Sequence, residues 1–525
     1  MKKTLKLSVV LEKHDLSKHS LDLISWCATN ENIELVCLIW EPDQPKSFIG
    51  LIENFFWNVM LFIEGAQLNI KKMHRHDVLR SIEISPKPKE FYLIQGDHEV
   101  VNEIKKLEID LHLALNAGTF LEALKNNATY GALSFTGESF SPKVHNPYFF
   151  NEVLNKINNT EFKILHHHPT NEKTYVAQKG ALPTHGYFLA NRENVLLRQN
   201  FYMQRQIEAV MEKNIGNEEM LDSSRVELIK RAPFLYDQCK YLLQLLSLLS
   251  KRLFSLFKAP DLWNVGIYKG GWRAVDFKKA MVISNPKNHF LADPFVINKN
   301  GKDYCFVEDF DLKKSKGVIA VYEIGDDTVE NVGLALEENF HLSFPYLFEC
   351  DSKTYMLPET CDNKDIRLYK SIDFPLKWEL SKIIKKDVTA VDSMIFKHEN
   401  RWWLFTNINP IGGRDTCSEL SLFYSDHPVN GDWLPHAKNP VIFDPSFARN
   451  GGIVIEEDCI YRIGQKQLFG TYGGGGFSVN KITELTPDAY QEEPALIIKP
   501  DFFLGNKGAH HFHTSGIIST FDFLT

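Results

Sequence analysis

LADPFVINKNGKDYCFVEDF, residues 291–310, and LSFPYLFECDSKTYMLPETC, residues 342–361, share one outline, with Phe344 standing 51 residues after Asp293. Each is an apolar strand, a polar turn and an aromatic-rich second strand that ends near an acid. The outline returns in DSMIFKHENRWWLFTN (392–407) and RNGGIVIEEDCIYRIGQ (449–465). Downstream of each copy comes a third strand, at 316–324, 365–371, 419–426 and 475–483, and twice a tryptophan-bearing edge follows, at Trp378 and Trp433. Four strands per unit at a period near 50 residues predict the blades of a β-propeller. A fifth blade is expected from HHFHTSGIIST (510–520), closed by NVGIYKG (264–270), because circular closure removes exposed sheet edges.

The first strand of a blade runs along the central axis, so equivalent residues of successive blades ring one mouth of the channel. Strand starts give Asp293, Phe344, Asp392 and Arg449; ends of second strands give Glu308, Glu359, Asn407 and Gln465, at offsets of 15, 15, 15 and 16. A hairpin returns its last residue to the level of its first, so both sets are expected on one rim, joined by His510. Tyr304, Tyr355 and Trp402 are explained as scaffold by the repetition. A ring of acids, amides, an arginine and a histidine is not required by a blade, and is read as functional.

Residues 1–213 alternate strand and helix: LKLSVVLE (5–12), a helix over 18–28, NIELVCLIW (32–40), a helix over 48–63 and FYLIQG (91–96), then a helix from 97, IDLHLAL (109–115) and YGALSF (130–135). Such alternation predicts a parallel sheet covered by helices, reaching its far edge at 130–135. The strands 161–168 and 174–182 and a helix over 190–213 complete that domain. Residues 214–260 are a charged stretch followed by YDQCKYLLQLLSLLSKRLFSLFK (236–258), with Lys251, Arg252 and Lys258 near its end. Two readings stay open for it: a linker helix packed between domains, or a basic amphipathic helix on a membrane surface. The fold class expected is therefore α/β plus all-β: a Rossmann-type sheet domain (1–213), a helical linker (214–260) and a five-bladed propeller (261–525).

A formal net charge of −8 over 525 residues argues against a nucleic-acid partner. The eight cysteines form no C-x-x-C pair, so reduced thiols in the cytoplasm are expected, with peripheral contact at the inner membrane face as the variant that residues 236–258 allow. No apolar run reaches the roughly 18 residues of a membrane span, and four apolar residues after MKKTLK are too few for a signal-peptide core. In HHH (166–168), alternate residues of a strand share a face, so only His166 and His168 could share an ion. GTYGGGG (470–476) opens no helix and reads as a blade turn rather than a phosphate loop.

The motifs ADPF, SFPYLFE, YMLPET, AVDSMIF, RWWLF, LFYSD, ITELTPDAYQEEP and GAHHF resemble the five-bladed propellers of the arabinanase, xylosidase and levansucrase clan. They are more similar still to the propeller domain of plant glucosamine inositolphosphorylceramide transferases and their bacterial relatives. The clan's chemistry implies a base or nucleophile at Asp293 and an orienting acid at Asp392; where its general acid is expected stands Arg449. An arginine cannot protonate a glycosidic oxygen, whereas its fork suits a phosphate. The resemblance thus implies transfer of an activated sugar from a nucleotide sugar or sugar phosphate in bacterial surface polysaccharide or glycolipid synthesis. Arg449 would steady the departing phosphate, and Asn407, Gln465 and His510 would bind substrate. The alternative for Arg449 is an ion pair with a ring carboxylate. The rivals are a furanosidase-like hydrolase with Glu308 or Glu359 as its acid, and a non-catalytic carbohydrate-binding protein. No cofactor is expected; a central metal near His510 is the one ion the resemblance allows.

IDLHLALNAGTFLEAL, YGALSF, NPYFFNEVL and EFKILHHHPTNEKTYVAQKGALP resemble, in order and spacing, the methionyl-tRNA formyltransferase fold. Ser134 and Thr136 stand where that family has its catalytic Asn and His, and the loop PTNEK lacks its Asp. Formyl transfer is not expected; a ligand pocket with Glu138 as its nearest acid is.

Overall fold

The computed structural model describes residues 4–12, 17–41, 48–70, 87–93, 98–115, 121–137, 147–170, 173–212, 219–221, 233–255, 260–413, 415–456 and 459–525. The chain divides into two compact units, Met1–Leu256 and Phe257–Thr525.

The first unit is built on one eight-stranded sheet. Its strands are β1 (Leu5–Glu12), β2 (Ile33–Glu41), β3 (Lys89–Tyr92), β4 (Leu111–Ala114), β5 (Ala132–Gly137), β6 (Asn159–His167), β7 (Thr174–Pro183) and β8 (Glu219–Leu221), in the spatial order 3-2-1-4-5-6-7-8. The first five are parallel, as the alternation with helices requires. Strands β4 and β5 are buried along their whole length, the mark of a strand covered on both faces. The sheet does not end at β5, as expected from sequence, but continues through antiparallel β6, β7 and β8. Strand β6 alternates buried and half-exposed residues, so periodicity alone could not say which neighbour it pairs with.

The stretch expected as a linker is divided. Its helix, Leu235–Ser255, belongs to the first unit: Tyr241 packs among Trp57, Phe150 and Phe188, accepts a hydrogen bond from the Phe188 N–H (2.7 Å) and donates one to Glu64 (2.9 Å). Glu138, proposed as a pocket acid, lies outside the described residues.

The second unit is a propeller of five sheets. Blade one runs from His289 to Leu336, blade two from Ser343 to Lys386, blade three from Thr389 to Phe443 and blade four from Asn450 to Ile498. Blade five is composite: Phe512–Thr514 is innermost, then Ile518–Leu524, then Trp263–Lys269 and Met281–Ile283. The closure expected from NVGIYKG is thus present, with Ile518–Leu524 antiparallel to Trp263–Lys269 over seven residue pairs. Between blades the core is aromatic and aliphatic, with Phe344, Met394, Trp403 and Leu420 in its largest cluster.

Each inner strand of blades one to four is interrupted by two residues that take no partner: Asp293–Pro294, Phe344–Pro345, Asp392–Ser393 and Gly451–Gly452. The first residue of the pair is left-handed in three blades, with φ of 48° at Asp293, 45° at Phe344 and 47° at Asp392. In blade four a Cβ on Gly451 would run into the carbonyl oxygen of His510, and one on Gly452 (φ 127°) into that of Phe512. Gly452→Ala is therefore expected to cost about 2 kcal/mol or more, read as a drop of about 4–8 °C in the propeller's unfolding midpoint, whereas Gly301→Ala, in open space at a turn, costs about 1 kcal/mol.

Candidate active site

A bulge re-aims a side chain, and here it turns Asp293 and Asp392 into the channel mouth while leaving main-chain N–H groups without a ladder partner. Those groups are taken by side chains of the preceding blade. Asp293 N–H donates to Asp522 of blade five (3.2 Å), Phe344 N–H to Asp293 of blade one (3.2 Å) and Asn450 N–H to Asn407 of blade three (2.8 Å).

This geometry corrects two readings of the sequence. Asn407 is wholly buried; its amide donates to the carbonyls of Glu419 (2.9 Å) and Ala448 (2.8 Å), so it locks main chain and is not available to substrate. Gln465, also wholly buried, donates to Asp392 (3.0 Å) and the Asn450 carbonyl (2.7 Å), and acts as a positioning residue for that acid. The register also shifts the alignment of blade four. Asn450 pairs with Gly464 where Ala292 pairs with Glu308 and Ser343 with Glu359, so Gly451 is the counterpart of Asp293 and Arg449 stands two residues before it.

The remaining expected residues do meet. Arg449 Nε is 2.6 Å from Asp392 Oδ2, its Nη1 donates to Thr416 (3.0 Å), and its Nη2 lies 4.0 Å from Glu359. The guanidinium stacks on Tyr472, 4.9 Å from the ring centre. His510 bridges two acids, Nδ1 at 2.9 Å from Asp522 and Nε2 at 3.2 Å from Asp293, and Trp263 packs over it at 4.1 Å between centroids. Glu308 faces His341, whose Nε2 is 3.6 Å away.

Electrostatics divide these groups into charged and neutral. Burial, the Asp293 charge and Glu359 push the Glu308 carboxyl well above its usual range; burial and the charge of Asp392 do the same to Glu359, against the pull of Arg449. Both can therefore hold a proton that a solvated glutamate would have lost. Burial works against the cations, but the carboxylates outweigh it: Asp392 above all holds Arg449 charged, and Asp522 with Asp293 raises His510 to about 10. Its neighbour His511, which donates from Nε2 to the Pro294 carbonyl (3.1 Å), is driven by burial down to about 3 and stays neutral.

Asp293, His510 and Asp522 are also close enough to share a metal ion. The fit is poor, because both nitrogens of His510 already face carboxylates and the ring carries a proton at neutral pH; a divalent ion would have to displace it. In the first unit His166 is engaged by the Tyr130 carbonyl (2.8 Å), and His167 by Ser134 (2.7 Å) and Thr174 (3.1 Å). A cavity of about 550 Å³ lined by Trp272, Tyr346, Phe348 and Trp402 lies at the opposite mouth, away from Asp293, Glu308, Glu359 and Asp392.

Sequence reasoning missed Asp522, His341, Trp263 and Tyr472. Asp522 had a signal: an acid in the alternating apolar strand ISTFDFL, the second strand of blade five. Tyr472 was hidden in GTYGGGG, whose Gly473 (φ 66°) lets the loop come within van der Waals contact of Trp263 and His510.

Residues 277–508 match the family model described as glucosamine inositolphosphorylceramide transferase 1, N-terminal. The glucosamine inositolphosphorylceramide transferase 1 of Oryza sativa subsp. japonica is 37% identical over 212 residues, covering 39% of this chain and 28% of the rice protein. That of Arabidopsis thaliana is 36% identical over 210 residues, covering 39% and 27%. The matched segment thus spans little more than a quarter of these relatives. Among solved structures, the family 117 glycoside hydrolase Zg3597 of Zobellia galactanivorans aligns with a TM-score of 0.34 and 13% identity over 50% of this chain and 90% of its own. The α-L-arabinanase of Penicillium chrysogenum aligns at 0.31 and 12%, over 46% and 74%.

A group whose folded pKa is raised stabilises the fold below its unfolded value and loses that contribution as pH climbs through the folded one. For His510 the window runs from about 6.5 to about 10. Urea unfolding of the wild type should show stability falling across that window, and His510→Gln should flatten the slope while lowering stability at pH 6.5.

Proposed function

We propose that the acid mouth of the propeller is the active site of a carbohydrate-active enzyme that transfers a sugar from a phosphate-activated donor to a glycan or glycolipid acceptor. The observation that carries this reading is Arg449. It is a largely buried guanidinium held charged by Asp392, stacked on Tyr472, with an Nη2 edge whose nearest acid, Glu359, is 4.0 Å away and inclined to be protonated. Such an edge can receive a phosphate oxygen without losing its structural ion pair. Negative charge growing on the leaving phosphate is then met by a cation already desolvated and oriented. Asp293, locked between His510 and the Phe344 N–H, is the residue placed to take the acceptor's proton or to face positive charge at the anomeric carbon. Tyr472 and Trp263 offer ring faces on which a sugar can lie. The relatives' name, a glucosamine inositolphosphorylceramide transferase, supports a sugar and a glycolipid as the substrate class.

For the first unit, the formyltransferase-like reading is kept as part of this proposal, without formyl transfer. Ser134 is spent on His167, and Thr136 on the Gly137 carbonyl.

A second reading is favoured by one observation, the raised pKa of Glu359 and Glu308, which suits a general acid and hence glycoside hydrolysis. Two variants separate them once a thermal-shift panel of nucleotide sugars, sugar phosphates and free oligosaccharides has selected a ligand. If the donor leaves as a phosphate, Glu359→Gln should keep turnover within about threefold, and Arg449→Lys should lower kcat by about tenfold or more with a smaller change in donor affinity. If the mouth hydrolyses glycosides, Glu359→Gln should cost about 10²–10⁴ in kcat and Arg449→Lys little. Asp293→Asn should abolish turnover in either case.

A further inference from the structure

Helix Phe48–Leu68 in the first unit is oriented against its composition. Its two charged residues, Glu53 and Glu64, are buried. Glu64 accepts hydrogen bonds from the Leu189 N–H (2.6 Å) and from Tyr241 (2.9 Å), and beside it Trp57 fills the inner cluster. The outward face carries Phe55 (64% exposed), Phe56, Val59, Phe62 (78% exposed) and Ile63, at the i, i+4, i+7 spacing of a single stripe. A buried acid costs free energy that a surface position would have spared, and an exposed phenylalanine forgoes burial. Both choices in one helix mean that its apolar side is meant to meet something other than water.

The helix Leu235–Ser255 repeats the arrangement. It turns Gln238 and Tyr241 inward, the first donating to the Glu53 carbonyl (2.9 Å), and exposes Leu242, Leu243 (68% exposed), Leu246, Leu249 and Leu253. The exposed charged side chains of the two helices are Lys240, Lys251 and Arg252; of their three carboxylates, Glu53 and Glu64 are buried and Asp237 is half-buried. The fully exposed charge of the pair is thus positive, on a chain of net charge −8.

We infer that these two helices form one face that seats the first unit on an anionic lipid surface, lying in the plane of the interface. No helix of the described residues is long and apolar enough to cross a membrane. Phenylalanine and leucine stripes bordered by lysine and arginine fit the boundary between acyl chains and anionic headgroups. A second copy of the chain is the poorer occupant, since an isologous contact would bring Lys240, Lys251 and Arg252 of both copies into one interface with no fully exposed carboxylate among the described residues of this face to pair with them. The inference stands on the helices alone and is independent of the reaction proposed for the propeller.

The test is sedimentation of the full chain with vesicles of equal parts phosphatidylglycerol and phosphatidylcholine, and with pure phosphatidylcholine vesicles, at low and high salt. Wild type should bind the anionic vesicles, weaken in high salt and bind the neutral ones poorly. The variant Phe55→Ser/Phe62→Ser/Leu243→Ser should keep its circular dichroism melt, because these side chains are exposed, and lose about tenfold or more in vesicle affinity. Two results would overturn the inference. One is equal binding, or no binding, by wild type and variant; the other is a wild-type dimer in light scattering that the variant turns into monomer, which would make the face a homotypic interface.

Discussion

The propeller depends on a small set of hydrogen bonds between the side chain of one blade and the main chain of the next. An inner strand that bulges toward the axis leaves its N–H group pointing across the gap between blades, where no strand can answer it. Asp522, Asp293 and Asn407 answer it in turn. Buried N–H groups are costly when unpaired, so these positions must be polar whatever the protein does. The polar ring is therefore the mortar between blades, and under the function proposed above it is the chemical surface of the mouth as well. On that reading Asn407 serves only the first purpose, Arg449 and Glu359 the second, and Asp293 both.

That double duty sets the electrostatics. Carboxyls from Asp293, Glu308, Glu359, Asp392 and Asp522 crowd one channel end, and among the described residues Arg449 and His510 are the charged groups that balance them. Low-dielectric surroundings do not tolerate such an excess of charge, and the two glutamates relieve it by keeping protons. Carboxyls that give up their protons less readily than a solvated glutamate are thus a by-product of packing acids for structural reasons, and one of them, Glu359, sits beside a guanidinium that cannot give its proton away. Acid and cation in one mouth permit either route of sugar transfer, by protonating an oxygen or by receiving a phosphate.

Much of this was legible in the sequence because the repeat is periodic. Blade number, the composite fifth blade and the meeting of Asp293, Glu308, Glu359, Asp392, Arg449 and His510 all follow from aligning four copies of one hairpin. What failed were the places where a copy departs from its period. Blade four has a hairpin one pair shorter, so counting back from Gln465 set Arg449 level with Asp293, when Gly451 holds that place. Tyr472 and His341 sit outside the repeat, and no periodic argument could reach them. In the first unit, strand order beyond β5 depends on a choice between parallel and antiparallel partners that apolar spacing does not encode. The inward acids and outward phenylalanines of Phe48–Leu68 were equally invisible, since hydropathy reports which face is apolar but not which way it points.

The composite fifth blade carries a consequence for quality control in the cell. His510 and Asp522 lie on the same short stretch that supplies the two inner strands of that blade, and Asp522 also holds the first bulge of blade one. A chain lacking residues 510–524 would lose the seam of the ring, the counter-ion of Asp293 and the anchor of blade one together. Incomplete copies would not be closed propellers with a slightly loosened mouth. Their propeller would be left open, with exposed strand edges that proteases attack, so the architecture makes synthesis through residues 510–524 a condition of assembling the polar mouth at all.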